Sequence, residues 1–242
     1  MKHILLTLFM MPFFFTSEKE DVYPPVTVLE LFTSQGCSSC PPADRLLSEL
    51  VTSNTSSKVI VLSYHVDYWN HMGWSDPFSK KDFSDKQLRY SRKFNSSSIY
   101  TPQLIVNGQE HFVGSNASVL TSKLDHYSKR LSKNKIRIHD LSRVEDQIKF
   151  DYHLDGNIKN KTLRIALVID ERTTKIAHGE NRNRTLKNTN IVVSESSLQV
   201  NKEAGSMTID VRDLVNEADV LKLVAIIQNT DLDIIGAIQV NL

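Results

Sequence analysis

Two cysteines, Cys37 and Cys40, are the only ones in a chain of 242 residues, and they stand in one segment, GCSSCPPADRLL (36–47). Paired thiols at this spacing serve as half of a metal site, as a structural crosslink, or as a redox pair. A crosslink here would close a very short loop and remove little unfolded-state entropy. A closed zinc site asks for about four ligands, and there is no second cysteine pair. A redox dithiol needs two sulfurs only: a thiolate that attacks and a second thiol that resolves the mixed disulfide. Pro41 and Pro42 suit the first turn of a helix, where a missing N–H costs nothing. That places Cys37 at a helix N-terminus, where the dipole and free N–H groups stabilise an anion. Cys37 is therefore expected to be the attacking sulfur and Cys40 the resolving one. Ser38 and Ser39 are small, so the sulfur is expected to be accessible.

Further polar and aromatic residues cluster in YHVDYWNHMGW (64–74). His65 and Asp67 alternate at the end of an apolar run and are expected to point the same way. Three readings stay open. One makes His65 or Asp67 a proton acceptor for Cys40. Another makes Cys37, Cys40 and His65 a soft-metal site for Cu(I). The third has His65 and Asp67 tie down a loop packed by Trp69, Trp74 and Phe78. Trp69 and Trp74 are also candidates for an apolar rim that binds a protein or peptide substrate. Farther along, HGENRNRTLKNTN (178–190) carries Glu180, Arg182 and Arg184. That loop is expected to join the substrate wall only if it reaches across to the cysteines.

The totals bound these options. There are 29 basic and 28 acidic residues, a net charge of +1, with 40% hydrophobic and 24% charged residues. This is ordinary for a globular chain, and the absence of a basic run argues against a nucleic-acid partner. The first residues differ: Lys2, an apolar run over 4–15, then Thr16 and Ser17. That layout predicts a secretory signal peptide over 1–17, with a membrane-anchored N-terminus as the alternative reading. The run is shorter than the roughly 20 residues a membrane-crossing helix needs, so no stable membrane insertion is expected after cleavage. An exported chain, periplasmic or secreted, meets an environment in which disulfides persist.

The positioning elements follow from the apolar pattern. VTVLELF (26–32) and VIVLSYHV (59–66) predict buried strands. Leu46, Leu47, Leu50 and Val51 predict the buried face of the helix between them. Strand, helix, strand predicts a parallel pair with a right-handed crossover. A helix over 84–94, an apolar run over 103–106 closed by Asn107-Gly108 as a hairpin turn, and a helix over 117–131 follow. Beyond Lys135 the texture changes to period-two alternation, as at Leu163, Ile165, Leu167 and Ile169. The expected organisation is an α/β domain over 24–132 and a β-rich, sandwich-like C-terminal domain over 136–242.

The order strand, Cys-x-x-Cys helix, strand, helix, Thr-Pro, hairpin, helix resembles the thioredoxin fold. ELFTSQGCSSCPPAD, HVDYWNHMGWSDPF, YTPQLIVNG and HGENRNRTLKNTNIVV are similar to segments of the DUF1223 family, exported thioredoxin-like proteins of unknown function. The resemblance implies a thioredoxin-like domain followed by a family-specific β-rich domain. It also implies that Pro102 is a cis-proline facing the cysteines and that Thr101 offers backbone groups to an extended substrate. The expected activity is thiol–disulfide exchange on a protein or peptide thiol or disulfide, with the Cys37–Cys40 disulfide as the redox group. The alternatives are a copper-binding protein or a non-catalytic binding module on the same scaffold.

Overall fold

β1 (Thr27–Thr33) is buried along its whole length, and β2 (Val59–His65) along all but its first residue. Such strands need cover on both faces, and they pair in parallel, from Thr27 opposite Val59 to Thr33 opposite His65. Between them runs α1 (Pro41–Ser53). The structure is a computed structural model describing residues 21–53 and 58–242; the expected signal peptide lies outside the described residues. α2 (Lys81–Lys93) begins three residues before the expected start. β3 (Gln103–Val106) and β4 (Glu110–Val113) form the expected hairpin. Both turn residues take positive φ, 47° at Asn107 and 66° at Gly108. A Cβ on Gly108 would meet the Leu232 carbonyl oxygen at 2.0 Å, so only glycine fits. α3 (Ala117–Tyr127) ends four residues short of the expected 131.

The remaining strands are β5 (Lys135–Val144), β6 (Gln147–Asp155), β7 (Thr162–Lys175), β8 (Thr185–Gln199), β9 (Ala204–Asp210), β10 (Leu221–Gln228) and β11 (Ile234–Asn241). They do not all form a sheet apart from the first. One eight-stranded sheet runs in the order β11-β10-β7-β8-β2-β1-β3-β4, and β5-β6-β9 form a second sheet. The junction is a parallel contact of β2 with β8, Ser63 opposite Ile191. The protein is thus a mixed α/β structure dominated by one large sheet, with three helices among the described residues. None of those helices is long and apolar enough to cross a membrane.

Side-chain alternation divides the core. Leu29, Leu31 and Val61 pack with Ala43 and Leu47 of α1 and Leu120 of α3. Leu163, Ile165, Leu167 and Ile169 meet Ile148, Phe150 and Tyr152 of the small sheet. Val28, Phe32, Leu62, Tyr64, Val168 and Val192 pack with Phe83 and Tyr90 of α2.

Beneath α2 the sheet buries charge. Glu30 accepts from the Tyr90 hydroxyl at 2.5 Å and from Arg164 Nη2 at 2.6 Å. Glu195 accepts from Lys86 Nζ at 2.5 Å, Tyr64 at 2.5 Å and Arg164 Nη2 at 3.1 Å. A bulge aims Glu195 there. Leu167 lies opposite Ser194 but Val168 opposite Val192, so one residue of β8 is extra. The phase shift turns Glu195 to the α2 side. Burial, then Arg164, pushes the Lys86 ammonium down to about 8. Burial alone would raise the Glu195 carboxyl, but Arg164 and Lys86 hold it well below its ordinary value. Removing one partner from such a set leaves a buried charge uncompensated. Glu195→Gln is expected to lower the unfolding free energy by about 3 kcal/mol or more, read from urea denaturation. Asp85→Asn, which breaks the exposed Lys81–Asp85 pair, should leave the urea midpoint nearly unchanged.

Candidate redox site

β1 ends at Thr33, and the chain turns through Ser34, Gln35 and Gly36 into the cysteines. Cys37 and Cys40 are joined by a disulfide, immediately before α1 begins at Pro41. Both cysteines are 0% exposed, unlike the accessible sulfur expected from the small intervening residues. Ser38 and Ser39 are indeed exposed, but they do not uncover the sulfurs. The Ser39 hydroxyl lies 3.4 Å from Cys37 Sγ and donates to the Thr101 carbonyl oxygen at 3.3 Å. The Thr101 hydroxyl donates to Cys37 Sγ at 3.3 Å. The Thr101–Pro102 peptide is cis, and Trp69 Nε1 donates to the Thr101 hydroxyl at 2.8 Å. Trp69 is thereby fixed through Thr101 beside Cys37. Trp74 instead donates through Nε1 to Gln35 Oε1 at 3.1 Å.

A buried polar set lies behind the cysteine turn. His65, 0% exposed, ends β2 and meets Asp76 through Nδ1 at 2.6 Å. Asp76 also accepts from the Gln35 amide at 2.8 Å and the Phe78 amide at 3.0 Å. His65 Nε2 is buried and without a hydrogen-bond partner. Burial pushes the imidazole down, but Asp76 and then Asp44 outweigh it, and the net shift is upward. Asp44, one turn beyond Cys40, accepts from the Thr33 hydroxyl at 3.1 Å. Burial pushes its carboxyl up to about 7, with His65 and Thr33 pulling against that and Asp76 adding to it.

Asp67 is not part of this set. Its carboxylate accepts from the Ser84 hydroxyl at 2.5 Å and its amide donates to the same oxygen at 3.2 Å. β2 stops at His65, so the alternation expected to align the two side chains no longer holds. Among the described residues, three potential metal ligands come within 4.8 Å of one another at His139, Asp140 and Asp151. Cys37, Cys40 and His65 do not form such a group.

The loop between β7 and β8 reaches the cysteine turn. Asn181 is fully buried and its Nδ2 donates to the Gln35 and Cys37 carbonyl oxygens, both at 2.9 Å. Glu180 Oε2 accepts from the Ser38 amide at 3.1 Å. Gln35 Nε2 donates to Thr174 Oγ1 at 3.1 Å and Asn188 Oδ1 at 3.0 Å. Arg184 holds Asn181 Oδ1 at 3.0 Å, and both Arg182 and Arg184 are exposed. Sequence reasoning missed Asp44, Asp76 and Asn181. Asp44 carried one signal, its place four residues after Cys40; Asp76 and Asn181 carried none.

Chemically, the set combines a sulfur pair, a buried acid that titrates near neutrality and an imidazole with a free nitrogen. The titration also affects stability. The folded Asp44 keeps its proton up to about 7, whereas in the unfolded chain it loses it near about 4. The folded state binds the extra proton, so stability falls as pH rises through that window, by up to about 1.4 kcal/mol per pH unit. His65 acts in the same direction from about 6.5 upward, because the fold favours its protonated form. Asp44→Asn is expected to flatten the decline between pH 4 and 7, measured by denaturant unfolding at pH 5 and pH 7.

Solved structures resemble this chain, two of them over most of its length. Protein AGR_C_4864 from Agrobacterium tumefaciens is 26% identical, with a TM-score of 0.67 over 89% of this chain and 94% of that one. HBP35 of Porphyromonas gingivalis is 14% identical, with a TM-score of 0.65 over 91% of this chain and 76% of that one, a likeness of fold alone. No curated protein matches. Residues 28–228, which hold both cysteines, Thr101-Pro102 and the Glu180–Asn181 loop, match the family described as "Protein of unknown function (DUF1223)", and the chain belongs to that family.

Proposed function

We propose that this chain is an exported thiol–disulfide oxidoreductase whose N-terminal part is thioredoxin-like. One observation carries the reading: the Cys37–Cys40 disulfide lies at the N-terminus of α1, with the Thr101 hydroxyl on Cys37 Sγ and the buried Asp44, His65 and Asp76 set behind it. The parallel β1–α1–β2 unit, the β3–β4 hairpin and the position of Pro102 support the thioredoxin-like part. The expected signal peptide supports export to the periplasm or beyond the cell.

In the dithiol form, the Cys37 thiolate attacks one sulfur of a partner disulfide. The partner's S–S bond breaks, and its leaving sulfur takes the electron pair as a thiolate. Cys40 then gives up its proton, attacks Cys37 Sγ and releases the partner's second thiolate. The Cys37–Cys40 bond has formed, and two electrons have passed to the partner. Each step runs equally in reverse. The acceptors for the Cys40 proton in this reading are His65 Nε2, which has no hydrogen-bond partner while Nδ1 holds Asp76, and the Asp44 carboxylate, which loses its own proton near about 7. The partner is a protein or peptide with an exposed thiol or disulfide. Its strand docks along Thr101, where it displaces the Ser39 hydroxyl, and against the half-buried rings of Trp69 and Trp74.

The test is to equilibrate the mature protein in dithiothreitol redox buffers and follow alkylation of each cysteine with pH. A single two-electron transition is expected, with Cys37 alkylated first and below the ordinary thiol range near about 8.5. Cys37→Ser should abolish exchange with a peptide disulfide, and Cys40→Ser should accumulate the mixed disulfide. Slow alkylation with ordinary thiol behaviour would remove the exchange reading. A Cys37→Ser/Cys40→Ser variant that keeps its biological activity would favour a binding module, and tight Cu(I) binding lost in Cys37→Ser would favour a metal carrier.

A further inference from the structure

A thiolate at the start of a helix depends on the N–H groups around it, and in this turn few are left. The Cys37 amide donates to the Ser34 carbonyl oxygen at 3.2 Å, and the Cys40 amide donates to the Cys37 carbonyl oxygen at 3.3 Å. Pro41 and Pro42 have no N–H at all. The Ser38 amide donates to Glu180 Oε2 at 3.1 Å. In the segment from Cys37 to Pro42, the Ser39 amide alone stays uncommitted. A carboxylate thus already takes the N–H next to Cys37, one of the few that could otherwise stabilise its thiolate just before α1. Two further acids, Asp44 and Asp76, lie on the inner side of the turn. Glu180 is not there by chance of surface mobility. Its neighbour Asn181 is fully buried and anchored to the backbone on both sides of Gly36, and Gly179 takes a φ of 75° against Trp74.

We propose that Glu180 sets the direction of electron flow: by disfavouring the Cys37 thiolate it favours the disulfide, so the protein acts as a reductant of partner disulfides. The proposal rests on the exchange reading above. Stabilising the reduced thiolate makes a disulfide oxidising, and destabilising it makes the pair reducing. In the working direction the Cys37–Cys40 dithiol is oxidised and a partner disulfide is reduced to two thiols. A second dithiol protein must then supply two electrons to restore it.

Wild type and Glu180→Gln are equilibrated in glutathione buffers, and the Cys37 alkylation rate is followed with pH. The wild-type pair is expected to be more reducing than glutathione. Glu180→Gln should make the disulfide easier to reduce, changing the equilibrium constant by about three- to tenfold, and should move the Cys37 titration to lower pH. The difference should shrink in 1 M salt, because an exposed charge is screened there. Asn181→Ala, which loosens the loop but keeps the carboxylate, separates anchoring from charge: its shift should be smaller than that of Glu180→Gln. An unchanged equilibrium constant and titration in Glu180→Gln, or a wild-type pair more oxidising than glutathione, would overturn the proposal. A wild-type pair that equilibrates with neither glutathione nor dithiothreitol would overturn instead the exchange reading beneath it.

Discussion

The parallel contact between β2 and β8 is the constraint on which the site depends. It is short, with Ser63 opposite Ile191 and the Ser63 hydroxyl donating to the Thr189 carbonyl oxygen at 2.8 Å. It joins β1–β4 to β7, β8, β10 and β11 in one sheet. With β8 docked there, the β7–β8 loop lies over the cysteine turn, and Thr174 and Asn188 meet the Gln35 side chain. The buried charges below α2 secure the same seam from the other face. Glu30 comes from β1, Lys86 from α2, Arg164 from β7 and Glu195 from β8. Such a set satisfies its charges only when all four elements are in register, so it specifies the assembly as much as it stabilises it.

Gln35 is the second point of convergence. Its amide reaches Asp76, its side-chain nitrogen reaches Thr174 and Asn188, its side-chain oxygen accepts from Trp74, and its carbonyl oxygen accepts from Asn181. One buried residue thus ties the cysteine turn to the aromatic loop and to the C-terminal strands. Asp76 links the same turn to His65. The environment of the sulfurs is therefore set by residues from both halves of the chain, and residues of the β7–β8 region touch the cysteine turn directly.

Much of the framework was legible because it rests on local patterns. The apolar runs at 26–32 and 59–66, the helical spacing after Pro42 and the Asn107-Gly108 turn each have a local cause, and the corresponding elements form within a few residues of the expected positions. Asp67 shows where local reasoning stops: alternation applies only inside a strand, and β2 ends two residues earlier. The sulfur burial is another such case, since small neighbours at positions 38 and 39 say nothing of Thr101 arriving from 64 residues away.

By itself the sequence determined where the two sulfurs stand: at a helix start, with prolines that remove two N–H donors from its first turn. Those features depend on residue type and on neighbours within one or two turns of chain. The tertiary structure decided what surrounds the sulfurs. Asp44 and Asp76 became buried acids, His65 acquired its partner, and Glu180 and Asn181 arrived from about 140 residues away along the chain. No local pattern encodes such contacts, because they exist only once β8 has paired with β2 and the charges beneath α2 have found one another.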